Sequence, residues 1–158
     1  MNDRSLNVWV VDDDQSVRWV LEKALRQAGM EARTFERAEH LLEAIAHGEP
    51  DVLITDVRMP GMSGITLLDR LRATSPDLPI IVKIETAQGF RNLPQILVAG
   101  LGSGALGVMV ARGDLAVEVG YERLAEVQEE ILWLCEAAHV PTIWATQVLD
   151  GLAKTGRP

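Results

Sequence analysis

The chain has one cysteine in 158 residues, Cys135, so no disulfide can close within it, and a reducing compartment is the expectation. Aromatic residues are scarce at 4%, while hydrophobic residues reach 47%, so the core has to be built from aliphatic side chains. Basic residues are the minority, 15 against 23 acidic ones, and the formal charge of −8 argues against a nucleic-acid partner, which needs a basic face. No apolar run approaches the roughly 18 residues of a membrane span. Met1–Ser5 is polar with no apolar stretch behind it, so no signal peptide is visible. His40, His47 and His139 are scattered without metal-ligand spacing. These absences predict a soluble cytoplasmic protein with no membrane contact. The length suits a single domain and falls short of a complete (β/α)8 barrel of about 250 residues.

What is present is an alternation of short apolar runs with longer amphipathic ones. Val8–Val11, Glu31–Phe35, Val52–Thr55, Ile80–Ile84, Leu106–Ala111 and Thr142–Ala145 read as strands. Between them, Val17, Val20, Leu21, Ala24 and Leu25 follow helical spacing, with Gly29 placed to cap the end. Leu41, Leu42 and Ile45 mark a second helix, Leu67, Leu68 and Leu71 a third, and 92–99 a fourth. Leu124, Val127, Ile131, Leu134 and Ala138 mark the longest, and a short helix is expected to close the chain. Cys135 and the four tryptophans, Trp9, Trp19, Trp133 and Trp144, are expected to pack, and Glu126, Glu129 and Glu130 to form a solvated face. The βα alternation predicts a parallel sheet with helices on both faces.

Open α/β sheets bind ligands outside the carboxyl ends of their strands. Asp12, Asp13 and Asp14 end the first strand here and Asp56 the third. Clustered carboxylates repel one another unless a cation joins them, and hard oxygen ligands suit Mg²⁺. Asp14 is better placed as an N-cap for the helix starting near Gln15. Asp12, Asp13 and Asp56 together form a candidate metal pocket.

The segment VWVVDDDQSVRWVLEKALRQAG, followed by PDVLITDVRMPGMSG, resembles the receiver domain of bacterial response regulators, in the nitrogen-regulatory branch. The likeness covers residues 7–82. It implies a flavodoxin-like fold, a phosphoacceptor at Asp56, an Mg²⁺ site at Asp12 and Asp13, and a backbone ligand from the Arg58 carbonyl. Receivers also use a hydroxyl residue ending the fourth strand and a lysine ending the fifth. Lys83 or Ile84 takes the hydroxyl place in direct register, Thr86 fits it only after an insertion, and no Lys-Pro follows the fifth strand. Ser63 stands where an acidic residue is usual.

From Lys83 onward the pattern changes. KIETAQGFRNLPQIL, GVMVARGDLAVEV and VPTIWATQVLDGLAKTGRP resemble consecutive pieces of the pyruvate kinase barrel. That resemblance implies that Lys83 stabilises an enolate and a transferring phosphoryl group, and that Glu85 and Asp114 hold a divalent metal. It also implies that Ala111, Arg112 and Gly113 cradle a substrate carboxylate and that Thr146 sits beside the reacting carbon. The remainder of that enzyme's constellation is missing, so no turnover is expected, and each of these roles is vestigial.

The join between the two patterns falls within 80–85, inside one strand and without a linker, whereas natural fusions join complete domains through exposed segments. This marks an engineered chimera, a single hybrid domain over 1–158 (receiver-like over 1–82, barrel-like over 83–158). The expected strand order is 2-1-3-4-5 with a sixth strand beside the fifth, and a partly closed or dimerised barrel is the alternative. The main functional expectation is a designed fold with no selected activity and a weak Mg²⁺ pocket. It needs no partner, although its edge strand invites dimerisation. The alternatives are a signalling module phosphorylated on Asp56 and a phosphotransferase remnant.

Overall fold

A computed structural model describes residues 4–100 and 105–145. Six parallel strands form one open sheet in the order β2-β1-β3-β4-β5-β6. They are β1 (Asn7–Val11), β2 (Glu31–Phe35), β3 (Val52–Asp56), β4 (Ile80–Ile84), β5 (Leu106–Val110) and β6 (Thr142–Trp144). The helices are α1 (Gln15–Gln27), α2 (Ala38–Ile45), α3 (Gly64–Thr74), α4 (Ala87–Arg91), α5 (Leu93–Gly100), α6 (Arg112–Val119) and α7 (Tyr121–Ala137). The expected order, with its sixth strand, is the observed one. Among the described residues the sheet is open, with edges at β2 and β6, rather than a partly closed barrel. The expected closing helix lies outside the described residues.

The two faces are covered unequally. One carries the main core, in which Leu41 of α2, Leu67 and Leu71 of α3, Ile96 of α5, Leu115 of α6 and Ile131 of α7 meet Leu53, Val82, Ile84 and Val108 of the strands. Each such side chain contributes roughly 1.5–3 kcal/mol when fully buried. On the other face, the smaller cluster of Val8, Val10 and Ile54 takes helical cover from α1 alone among the described residues, through Leu21 and Leu25. No α1 side chain is fully buried.

That imbalance corrects the expectation for the tryptophans. Trp9 is buried against Phe35, but Trp19 is 61% exposed, Trp133 63% and Trp144 37%. Trp19 lies on the outer side of a helix with only one face to bury, and Trp133 on that of α7. Trp144 sits on the edge strand. Cys135 is buried, as its place on α7 predicts.

Local signals place the strand ends. Asp14 caps α1 through Ser16 N and Val17 N. At the far end, Gly29 (φ 79°) allows Gly29 N and Met30 N to reach the Arg26 and Leu25 carbonyls, a Schellman turn. The single helix expected over 92–99 is instead preceded by α4, which Thr86 caps by accepting from Gly89 N at 3.0 Å. The helix α6, within the GVMVARGDLAVEV segment, has too weak an apolar periodicity to stand out from sequence.

Candidate functional site

The carboxyl ends of β1, β3 and β4 open into one mouth. Parallel pairing sets Val11 beside Thr55, and Asp56 beside Lys83. One residue beyond β1, Asp12 donates its backbone N–H to the Phe35 carbonyl and turns inward, 1% exposed. Asp13 is exposed. One oxygen from each of Asp12, Asp13 and Asp56 falls within 4.8 Å of the others, so the three carboxylates expected to converge do so.

The opposite wall is α3. Ser63 accepts from Thr66 N at 3.2 Å, and so serves as the helix cap. Gly64 then packs directly on the end of β3, its N–H bonded to the Val57 carbonyl at 2.9 Å. A Cβ at Gly64 would stand 2.2 Å from the Asp56 carbonyl oxygen, so only glycine permits this approach. Arg58 lies in the intervening loop. With Val57, Met59, Ser63 and Thr86 it lines a cavity of about 200 Å³.

Lys83 enters the same mouth. Its ammonium Nζ lies 2.5 Å from Asp12 Oδ2 and 2.9 Å from Glu85 Oε2, with the lysine side chain 4% exposed. Lys83 and Glu85 are two residues apart at a strand end and therefore share a side. Glu85, from the second acidic pair read in the sequence, thus meets Asp12, from the first, at Lys83. Sequence reasoning assigned this lysine to a barrel site or to a hydroxyl position. The strand order itself carried the missing signal, because β4 is the neighbour of β3 and Lys83 lies level with Asp56.

Electrostatics follow from that crowding. Burial pushes the Asp56 carboxyl up to about 7, assisted by the charges of Glu85 and Asp12 and opposed by Lys83 and the Val57 N–H. For Lys83, burial pulls the ammonium down, but its hydrogen bonds and charge pairing with Asp12 and Glu85 outweigh this and the net shift is upward. Asp14 is held low by the Val17 and Ser16 amides, as befits a cap.

The barrel-type residues are dispersed by comparison. Asp114 is exposed in the first turn of α6, and the three-carboxylate group includes neither it nor Glu85. Asp114 does line a cavity of about 270 Å³ with Lys83, Met109 and Ala111. Ala111 donates its N–H to the Ile84 carbonyl, and Arg112 Nε donates to Gln128 Oε1 at 2.5 Å. Gly113 is exposed, and Thr146 lies outside the described residues.

The donor set suits a hard divalent cation: three carboxylates within one ion's reach, two of them buried at strand ends. Asp12 and Asp56 would hold such an ion from within and Asp13 from the rim.

Comparison with known proteins finds two families along the chain, with matches that overlap at residues 65–106. The response regulator receiver domain family matches residues 8–106. The pyruvate kinase barrel domain family matches residues 65–158. The DNA-binding transcriptional regulator NtrC of Escherichia coli K12 is 55% identical over 75 residues, 48% of this chain and 16% of that protein. Plastidial pyruvate kinase 3 of Arabidopsis thaliana is 40% identical over 92 residues, 58% of this chain and 15% of that protein. The solved structure of the beryllofluoride-activated NtrC receiver domain aligns with a TM-score of 0.55 at 35% identity, covering 85% of this chain and 94% of that one. The chain thus spans about a sixth of its curated relatives, yet nearly all of a receiver. By sequence match, by strand order and by the acidic mouth at its strand ends, it belongs to the response regulator receiver domain family over residues 8–106, and by sequence match to the pyruvate kinase barrel domain family over residues 65–158.

Proposed function

We propose that the chain is a receiver-type phosphoacceptor module. The observation that carries this reading is the convergence of Asp12, Asp13 and Asp56 within 4.8 Å at the mouth. A divalent cation bound there would neutralise charge on the carboxylates and on an incoming phosphoryl group. Asp56 attacks phosphorus with a carboxylate oxygen, forming an acyl–phosphate bond, while the donor's bond to phosphorus breaks and its electrons leave with the departing group. Asp56 has to be ionised to attack, so its raised pKa makes charge neutralisation a requirement. Lys83 lies level with Asp56 and places an ammonium near the new phosphoryl group.

Incubation with acetyl phosphate and Mg²⁺ tests this by intact mass. The expected gain is one phosphoryl group, abolished in Asp56→Asn and by EDTA. No gain in the folded, Mg²⁺-supplemented protein would overturn the reading.

A second reading concerns origin. The two family matches overlap only at residues 65–106, a stretch that contains β4, and run outward from there to opposite ends of the chain. That supports an engineered hybrid, in which the acceptor chemistry persists without a selected output. Neither reading calls for pyruvate kinase turnover. Lys83 is engaged by Asp12 and Glu85, and Asp114 faces solvent. Pyruvate formation from phosphoenolpyruvate and ADP is expected to be nil, and measurable turnover would refute this.

A further inference from the structure

The mouth carries a cation of its own. Both oxygens of Asp12 are engaged: Oδ1 accepts the Asp14 N–H at 2.9 Å, and Oδ2 accepts from the Lys83 ammonium at 2.5 Å. Asp12 is nevertheless one of the three carboxylates that face a common point. A divalent ion seated there has to share the Asp12 carboxylate with the ammonium or displace it. Two cations at such range repel strongly where water is excluded, and Asp12 and Lys83 are 1% and 3% exposed. Glu85 offers the ammonium somewhere to withdraw, since its Oε2 already lies 2.9 Å from Nζ.

Resting on the reading of the mouth as a divalent-cation site, we infer that Lys83 is a resident counter-ion that competes with the divalent cation for Asp12 and so sets the metal affinity of the mouth. Glu85 is the seat to which the ammonium retreats when the ion arrives. The lysine therefore has two opposed effects. It stabilises the metal-free mouth by balancing buried carboxylates, and it weakens metal binding by occupying one of them.

The test is a calorimetric Mg²⁺ titration of the full chain and of two variants, with Mn²⁺ bound fraction by electron paramagnetic resonance as a second readout. Lys83→Met removes the charge and keeps much of the apolar stem. It is expected to bind Mg²⁺ about tenfold more tightly or better. Lys83→Arg keeps the charge and should stay within about threefold of the wild type. Thermal midpoints give a parallel measure, because Mg²⁺ should raise that of Lys83→Met by more than that of the wild type.

If the wild type binds Mg²⁺ and Lys83→Met binds no tighter, this inference fails while the cation reading survives. If neither binds, both fail. Should Lys83→Met fold only when Mg²⁺ is supplied, the ion has replaced the ammonium and the inference stands. Failure of that variant to fold at any Mg²⁺ concentration overturns it.

Discussion

Asp56 and Lys83 are partners across the β3–β4 ladder, so the Asp56 carboxylate has a lysine level with it on the next strand. The pairing brings together residues from two different patterns. Asp56 belongs to the receiver motif, while Lys83 begins the barrel-like segment. Parallel strands of equal pitch place their C-terminal residues along one edge, whatever their origin. The consequence is a mouth in which Asp12, Asp56 and Glu85 crowd a single lysine, and the chemistry of the site follows from how those charges are balanced.

Stability should fall with pH over a defined window. Asp56 ionises near 7 in the folded state and near its ordinary value of 3.8 when unfolded. Between those values the native state holds a proton that the unfolded state has released, so each rise in pH favours unfolding. The loss is on the order of a few kcal/mol by pH 7 and levels off above it. Urea denaturation at pH 5 and pH 7.5 should show the decline. Asp56→Asn should flatten the profile and exceed the wild type in stability at pH 7.5.

Asp12→Asn breaks the buried pair with Lys83. Removing one partner of a buried ion pair leaves the other charge poorly compensated, but Glu85 still holds the ammonium. The expected cost is therefore about 1–3 kcal/mol, below that of a fully orphaned charge. Chemical denaturation measures it, and the same variant should lose most of the stabilisation that Mg²⁺ confers.

Gly64→Ala should damage the site without touching a functional side chain. The new methyl would fall 2.2 Å from the Asp56 carbonyl oxygen and 2.9 Å from Val57 Cα, both backbone atoms. The chain has to move α3 away from β3, at about 1–3 kcal/mol. Denaturation midpoints and the rate of acetyl phosphate labelling should both drop.

The unequal covering of the sheet can be measured by truncation on each face. Leu71→Ala on α3 removes a fully buried side chain and should cost about 2–5 kcal/mol. Val20→Ala on α1 removes a side chain that is 55% exposed and should change stability by less than about 0.5 kcal/mol. A comparable loss at both positions would mean that α1 is covered in solution.

Much of this is legible in the sequence. β-branched runs such as Val52–Thr55 and Ile80–Ile84, punctuated by Gly and Asp, identify strands because buried parallel strands are apolar on both sides. The triplet at Asp12–Asp14 and the lone Asp56 point to one edge, because right-handed βαβ units carry successive strand ends the same way. The fate of Trp19 and Trp133 was not legible, since helical periodicity marks an apolar face without saying whether anything covers it. Nor was the meeting of Lys83 with Asp12, which are 71 residues apart and joined only once β1, β3 and β4 lie side by side. By itself the sequence determined the elements, their parallel order and the carboxylates that could gather, because these rest on local periodicity and chain connectivity. Tertiary structure alone decided that Asp12 and Glu85 share a single lysine, because charge balance in a buried mouth depends on distances across strands.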